Sequence, residues 1–223
     1  MITQVKKWVT DHPVWFAILF FIFYFTGFFT LEHLVTEPVY LLHCGLDDLI
    51  PFNEWFIFPY ASWFVLIPWA LITLLLFDRK NYFYLCGVMF SGMALCLLLY
   101  LIFPNGVDLR PQSIESSNLA ATFVRMIWMT DTSTNVCPSI HVASTFAIFL
   151  AVQRSRIWKH RKLVVGICGV LTVMICLSTL FLKQHSVIDV VCGIVLSTAL
   201  HFVFRRTGER EQAVLCRLGE NEG

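Results

Sequence analysis

The sequence contains few charged residues for its length. Only 14% of its 223 residues are charged, whereas 57% are hydrophobic and the mean hydropathy is +0.72. A soluble globular domain carries about 25% charged residues. The composition therefore excludes an ordinary soluble domain and predicts one integral membrane domain over residues 1–223.

The sequence also lacks the cysteine patterns of metal-binding and redox proteins. Its eight cysteines form no CxxC pair and no metal-ligand spacing, so we expect neither a metal nor another cofactor. Internal repeats and low-complexity segments are absent as well. Cys44 and Cys137 both fall in segments that we place outside the membrane, and whether they form a disulfide stays open.

Six apolar runs are long enough, or nearly so, to cross a bilayer core that requires about 20 helical residues. They cover residues 14–34, 55–77, 82–103, 139–152, 163–182 and 187–204. No small-residue cleavage pattern follows the first run, so we expect it to remain as a membrane helix. The fourth run is short and the sixth contains Asp189 and His201, so these two need independent support. We predict an all-α bundle of six transmembrane helices.

The basic residues supply that support and orient the bundle. With the N-terminus in the cytoplasm, all but three of the 16 lysine and arginine residues fall in inner segments, where membrane proteins concentrate them. The three outer cations are Arg110, Arg125 and Lys183. The sequence thus predicts two cytoplasmic termini, and the compact chain favours a bacterial cell membrane with the polar loops facing outside.

Two ionisable residues lie at the start of the sixth predicted helix. His185 and Asp189 are four residues apart, so a helix would place them on one face, one turn from each other. An imidazole held by an aspartate has a fixed tautomer, and its second nitrogen becomes an effective nucleophile. A purely structural hydrogen bond is the alternative. Ionisable residues within a membrane usually have a function, which favours a catalytic pair.

A second group of polar residues opens the fourth predicted helix, on the same side of the membrane. A proline is tolerated at Pro138 because the first helical turn does not use its missing N–H. The free N–H groups of such a turn form an anion site. Ser139 can add a hydroxyl donor, and His141 can protonate a leaving oxygen. Alone, the pattern is more often a helix cap than a site; its position on the same side of the membrane as His185 gives it weight.

These segments resemble the type 2 phosphatidic acid phosphatase family of membrane lipid phosphatases. Its three signatures are Lys-x6-Arg-Pro, Pro-Ser-Gly-His and Ser-Arg-x5-His-x3-Asp. In this sequence they correspond to Arg110-Pro111, to Pro138-Ser139-Ile140-His141, and to Ser178-Thr179 with His185 and Asp189. Their order, spacing and membrane side agree with the family over most of the chain.

The resemblance implies a metal-independent, two-step phosphoryl transfer from a lipid phosphate. His185 attacks phosphorus to form a phosphohistidine, and Asp189 orients it. His141 protonates the departing lipid alkoxide and then activates the accepting water or alcohol. The residues implied to hold the phosphate oxygens are Arg110, Ser139, Ser178 and Thr179. The resemblance implies no nucleic-acid partner, and the oligomeric state stays open.

Two positions depart from the family pattern, and each removes a cation. Thr179 replaces the arginine of the third signature, and Phe103 occupies the lysine position of the first. Lys183 would lie one helical turn beyond Thr179 on the same face, so we expect it to replace one lost charge, without the bidentate geometry of arginine. Arg125 is a further candidate for phosphate binding, although a surface arginine facing lipid headgroups is the simpler interpretation.

The remaining polar residues of the outer segments receive simpler interpretations. Segment 104–138 is rich in serine, threonine and asparagine, and we expect a polar loop. The first outer segment contains an acidic cluster that matches no metal-binding motif, so we expect a solvated loop. This cluster comprises Glu32, His33, Glu37, His43, Asp47 and Asp48.

Three functions stay open at this stage. The leading one is a phosphatase acting on phosphatidic acid, phosphatidylglycerol phosphate or a polyprenyl diphosphate at the outer face. The second is a lipid phosphotransferase similar to the inositol phosphorylceramide or sphingomyelin synthases, with an alcohol as acceptor. The third is an inactive lipid-binding relative, which the two missing cations suggest. The complete set of His141, His185 and Asp189 argues against the third.

Overall fold

The computed structural model describes residues 2–158 and 160–220, with side chains described over 4–158 and 160–205. The described chain is helical apart from its loops and two very short strands. Four of the predicted inner cations, Lys159, Arg206, Arg210 and Arg217, lie outside the described side chains. The elements are α1 (Ile2–Asp11), α2 (Pro13–Leu34), β1 (Tyr40–Leu41), α3 (Gly45–Leu49), a 3-10 turn (Glu54–Phe56), α4 (Ile57–Phe77), α5 (Arg79–Ile102), β2 (Asn105–Gly106), α6 (Leu119–Thr130), α7 (Ile140–Arg154), α8 (Arg161–Phe181) and α9 (Val187–Glu220).

Five of the described helices are long and apolar enough to cross a membrane. They are α2, α4 with its preceding turn, α5, α8 and the Val187–Arg205 part of α9. Their bounds agree with the predicted runs; the largest difference is the start of α5, at Arg79 instead of residue 82. The predicted all-α architecture is confirmed. α7 has only 15 residues, about 22 Å of helix, so the sixth span and the cytoplasmic termini stay predictions.

The short helix α7 packs against α4, α5, α8 and α9. The small side chains of Ala147 and Ala151 on α7 are fully buried against these neighbours. Small side chains let helix backbones approach closely. On α9, a Cβ atom added to Gly193 would lie 2.9 Å from the carbonyl oxygen of Ser139. Glycine is therefore required at this contact, which holds the start of α7 against α9.

The two long segments that are predicted to lie outside the membrane pair with each other, which the sequence analysis does not predict. Strands β1 and β2 form a parallel pair, and the ring of Tyr40 stacks on Phe103 with 4.2 Å between centroids. The buried Asn105 side chain accepts hydrogen bonds from the backbone N–H groups of Val136 at 3.0 Å and Cys137 at 2.8 Å. The chain that leads into α7 is thereby fixed to the end of α5.

The expected polar loop over residues 104–138 is wrong for its central part, which forms the amphipathic helix α6. The Asn118 side chain caps this helix by accepting a hydrogen bond from the N–H of Ala121 at 2.8 Å. Val124 lies on the buried face, whereas Phe123 and Met129 are exposed. The polar residues on both sides of α6 obscure this short periodic pattern. A helix with one exposed apolar face suits a membrane surface.

Candidate active site

His185 and Asp189 form a hydrogen-bonded pair at the start of α9. His185 Nδ1 lies 3.3 Å from Asp189 Oδ2, and the two side chains are 8% and 0% exposed. The N–H of Ser186 donates to the same Oδ2 at 2.9 Å. The helix begins at Val187, so His185 precedes it instead of lying on its face as predicted, and a turn at Ser186 brings the side chains together. A carboxylate facing Nδ1 favours a proton there and leaves Nε2 free to attack.

His141 lies in the first turn of α7, next to His185. The centroids of the two imidazole rings are 5.8 Å apart. The rings of Tyr60 and Trp63, both on α4, lie 4.7 Å and 4.5 Å from that of His141. Trp63 is itself fixed, because its Nε1–H donates to the Ser144 hydroxyl at 2.8 Å. Aromatic packing thus restricts the orientation of His141.

A backbone hydrogen bond joins the two sequence motifs. The N–H of Ser139 donates to the carbonyl oxygen of Asp189 at 3.1 Å. The hydroxyl of Ser139 accepts from the N–H of Val142 at 3.4 Å and caps α7. Tyr100 of α5 donates its hydroxyl to the carbonyl of Pro138 at 2.6 Å. Ser139 is fully buried, so the structure shows it as a helix cap, and its contact with phosphate stays a prediction.

A cavity of about 170 Å³ contains both histidines. Half of its lining residues are phenylalanine, tyrosine or tryptophan, and its ionisable members other than tyrosine are Asp131, His141 and His185. The rings that line it are those of Tyr24, Phe25, Phe28, Phe29, Tyr60, Trp63, Phe64 and Tyr100. The cavity is therefore a pocket of low polarity with the two imidazoles in its wall.

Lys183 lies beyond the end of α8, which stops at Phe181. Its backbone φ is +56°, a left-handed conformation that a continuing α-helix excludes. The prediction that Lys183 shares a helix face with Thr179 is therefore wrong. Its ammonium group donates to the carbonyl oxygen of Asp47 at 2.8 Å, and Lys183 does not line the cavity. Its contact with phosphate stays a prediction.

The other two candidate cations, Arg110 and Arg125, donate hydrogen bonds to backbone carbonyl oxygens. Arg110 donates to the carbonyl oxygens of Trp128 at 3.3 Å and Asp131 at 2.7 Å, and also to the side chain of Gln184. Arg125 is exposed and donates to the carbonyl oxygen of Ile114 at 2.9 Å. Neither arginine lines the cavity, and their binding of phosphate stays a prediction.

Ser178 and Thr179 are fully buried near the end of α8. Their hydroxyl groups donate to carbonyl oxygens one turn earlier, at 2.7 Å and 2.8 Å. The carbonyl oxygen of Thr179 accepts from the N–H groups of Gln184 at 3.0 Å and His185 at 3.1 Å. In this structure Thr179 thus supports the backbone of the histidine, and direct contact of either hydroxyl with phosphate stays a prediction.

Asp47 and Glu32 do not belong to a solvated acidic loop, so that expectation is wrong for both. Asp47 is 2% exposed and Glu32 is 8% exposed. Glu32 accepts hydrogen bonds from Thr132. Asp47 accepts from the hydroxyl of Ser186 at 2.7 Å and from the N–H of Val187 at 2.8 Å, so it caps α9 beside His185. Sequence periodicity cannot reveal such contacts between distant segments.

Asp131 connects both halves of the site, and the sequence analysis does not identify it. Its Oδ2 accepts a hydrogen bond from the Tyr60 hydroxyl at 2.6 Å and another from Gln184 Nε2 at 3.1 Å. Tyr60 packs on His141, and Gln184 directly precedes His185. Asp131 follows α6 in a segment that was expected to be polar, so nothing in its spacing distinguishes it.

The described part of the chain contains neither a metal-binding cluster nor a disulfide. No group of three or more histidine, cysteine, aspartate and glutamate side chains among the described residues could hold a metal ion. Cys44 and Cys137, whose pairing the sequence leaves open, are both free thiols. The chemistry that the described geometry offers at this site is that of two imidazoles and a carboxylate.

A family model described as the PAP2 superfamily matches residues 81–212, which is more than half of the chain and contains α7, α8, His185 and Asp189. No curated protein matches the chain.

Proposed function

This chain belongs to the PAP2 superfamily, and on that premise we propose that it is a lipid phosphate phosphatase acting through a phosphohistidine. Members of this superfamily are generally phosphatases. The observation that carries the proposal is the arrangement of His141 and His185 in one cavity, with ring centroids 5.8 Å apart and a buried carboxylate on the second. Such a cavity suits a phosphate ester between two imidazoles.

In the first step, His185 Nε2 attacks phosphorus and the bond from phosphorus to the lipid oxygen breaks. The Asp189 carboxylate, 3.3 Å from Nδ1, stabilises the positive charge that develops on the imidazole. His141 donates a proton to the departing oxygen, so the lipid leaves as a neutral alcohol. The enzyme then carries the phosphoryl group on His185.

In the second step, water attacks the phosphohistidine and the nitrogen–phosphorus bond breaks. His141, now neutral, takes a proton from the attacking water. Inorganic phosphate leaves, and both histidines return to their starting protonation states. The nucleophile is a side chain, so we expect the reaction to proceed without a metal ion.

The first turn of α7 supplies donors for the phosphate oxygens. The N–H groups of Ile140 and His141 begin the helix and have no intrahelical acceptor, and both residues line the cavity. A helix N-terminus attracts anions through such groups and through its dipole. We expect Arg110 and Lys183 to contribute by electrostatic attraction and, after a side-chain rotation, by direct contact. We assign Arg125, Ser178 and Thr179 lesser parts in phosphate binding.

We further propose that six helices span the membrane, with both termini in the cytoplasm and the site at the outer face. The five long apolar helices and the distribution of lysine and arginine support this topology. α7 would be the sixth span, shielded from lipid by the helices around it. The lipid phosphate would then reach the site from the outer leaflet, in a bacterial cell membrane.

An alcohol acceptor is the second candidate, and the aromatic lining of the cavity favours it. Eight aromatic side chains line the space beside the two histidines, and such a wall binds an apolar alcohol better than it orders water. The same two steps would then produce a new lipid phosphate ester instead of inorganic phosphate. Adding long-chain alcohols to the assay separates the two candidates.

The test is phosphate release from a panel of lipid phosphates by purified protein in detergent. We expect release to survive an excess of chelator and to disappear in His185→Ala. The matched control is His43→Ala, because His43 is exposed and its described hydrogen bond is to Asp48; it should retain full activity. Release that requires a metal, or that persists without His185, would refute the phosphohistidine mechanism.

A further inference from the structure

The cavity beside the two histidines contains a carboxylate where a phosphate site would be expected to contain cations. No lysine or arginine of the described residues lines it, whereas Asp131 does. A carboxylate repels a phosphate dianion, and the repulsion is strong in a pocket of low polarity. Asp131 therefore does not bind the phosphoryl group, and its charge suits a cationic part of the substrate instead. This argument rests on the proposed function, which places the phosphoryl group at His185.

The carboxylate of Asp131 is held in place by neutral donors. Its Oδ2 accepts from the Tyr60 hydroxyl at 2.6 Å and from Gln184 Nε2 at 3.1 Å. Among the described residues, no lysine or arginine forms an ion pair with it. Arg110 is close, but its guanidinium donates to the carbonyl oxygens of Asp131 and Trp128 and to Gln184. One carboxylate oxygen of Asp131 is thus without a described hydrogen-bond partner and available to a ligand.

The rest of the wall is suited to a cation as well. Ring faces attract cations, and aromatic cages recognise quaternary ammonium groups. Tyr24, Tyr60 and Tyr100 are buried, and hydrogen bonds to Asp131 and Pro138 fix the last two. A rigid set of rings around one carboxylate binds an ammonium group without having to reorganise.

We propose that the cavity binds the ammonium group of a phosphate ester and that Asp131 determines this specificity. In such a substrate the nitrogen stands two carbons from the ester oxygen, so that it reaches the aromatic wall while phosphorus stays beside His185. Two kinds of lipid share this P–O–C–C–N unit. One carries it in a phosphocholine or phosphoethanolamine headgroup, and the other is a long-chain 2-aminoalkyl phosphate.

The test measures binding by calorimetry, separately from turnover, with compounds matched in shape. Phosphocholine is compared with 3,3-dimethylbutyl phosphate, in which carbon replaces nitrogen. In a second arm, 2-aminododecyl phosphate is compared with dodecyl phosphate. We expect the ammonium compound of at least one pair to bind about 30-fold more tightly, and the arm that responds identifies the source. Equal or weaker binding of both ammonium compounds overturns the proposal.

Three variants separate a cation site from a structural role of Asp131. In Asp131→Asn we expect the preference for the ammonium compound to disappear, while binding of dodecyl phosphate stays equal or improves because the repulsion is removed. Tyr60→Phe keeps the carboxylate and the ring and should retain the preference. Asp108→Asn removes an exposed carboxylate of the same outer segment and should change nothing. A preference that survives in Asp131→Asn overturns the role of this residue.

Turnover of the same compounds distinguishes failure of this inference from failure of the proposed function. Phosphate release from phosphatidic acid without any ammonium preference in binding would support the phosphatase proposal and refute the cation site. An ammonium preference in binding without release of phosphate from any lipid would refute the phosphatase proposal and support the cation site.

Discussion

Replacing Asp47 with alanine should destabilise the protein by about 3 kcal/mol. The Asp47 carboxylate accepts three hydrogen bonds, from the Ser186 hydroxyl at 2.7 Å and from the N–H groups of Val187 and Cys44, both at 2.8 Å. Each such bond contributes about 1 kcal/mol net, and more where the acceptor is charged. The change also removes the acceptor that caps α9, a position where Ser, Thr, Asn or Asp is worth about 1 kcal/mol.

The assay is thermal unfolding in detergent, with Asp48→Ala as the matched control. Asp48 is the next residue in the chain and carries the same charge, but its side chain is 66% exposed and its described ion pair is with the exposed His43. A loss of about 3 kcal/mol lowers Tm by roughly 6–12 °C for a chain of this size. Asp48→Ala should leave Tm nearly unchanged, because exposed ion pairs contribute little. Equal Tm values for the two variants would refute the capping role of Asp47.

The remaining predictions concern pH, catalysis and packing. Although burial raises it, hydrogen bonds from Ser186, Val187 and Cys44 lower the pKa of Asp47 below its ordinary value of 3.8. The ionised carboxylate therefore stabilises the native state above pH 3.8, and this contribution is lost as the pH falls below that value. The Tm difference between wild type and Asp47→Asn should accordingly shrink below pH 3.8. Asp189→Asn should lower kcat by about 10²–10⁴ while the protein stays folded, because His185 loses the acceptor that fixes its tautomer; an unchanged kcat would contradict this role. Gly193→Ala should destabilise the protein by about 1–3 kcal/mol and reduce activity, because its Cβ would lie 2.9 Å from the Ser139 carbonyl oxygen. Gly166→Ala, whose Cβ meets nothing within 4 Å, is the control and should not lower Tm.

The sequence predicts the membrane helices well because their signal is local. Each of the five long helices is a run of apolar residues that is complete in itself, and polar or aromatic residues mark its ends. His185 and Asp189 are predicted as a pair because they are close in sequence, although a turn at Ser186 and not a shared helix face brings their side chains together. The family resemblance then links this pair to His141, which lies far away in the chain.

The outer segments could not be predicted, because their structure depends on contacts between distant residues. Asp131 and Tyr60 are separated by 71 positions, and Asp47 and Ser186 by 139. No periodic pattern records such a contact. The prediction that Lys183 shares a helix face with Thr179 fails for a different reason. The helix α8 ends two residues before Lys183, at Phe181, and a spacing rule for helices does not apply beyond the helix end. The residues that set the charge around the site were therefore the least predictable.

The most direct test of the mechanism is to trap the phosphoryl group on the enzyme. Purified protein is mixed with radiolabelled phosphatidic acid, denatured at alkaline pH, where phosphohistidine is stable, and digested for mass spectrometry. We predict label on His185 in the wild type and none in His185→Ala. Phosphate release without any label on His185, or label that persists in His185→Ala, would contradict the central claim.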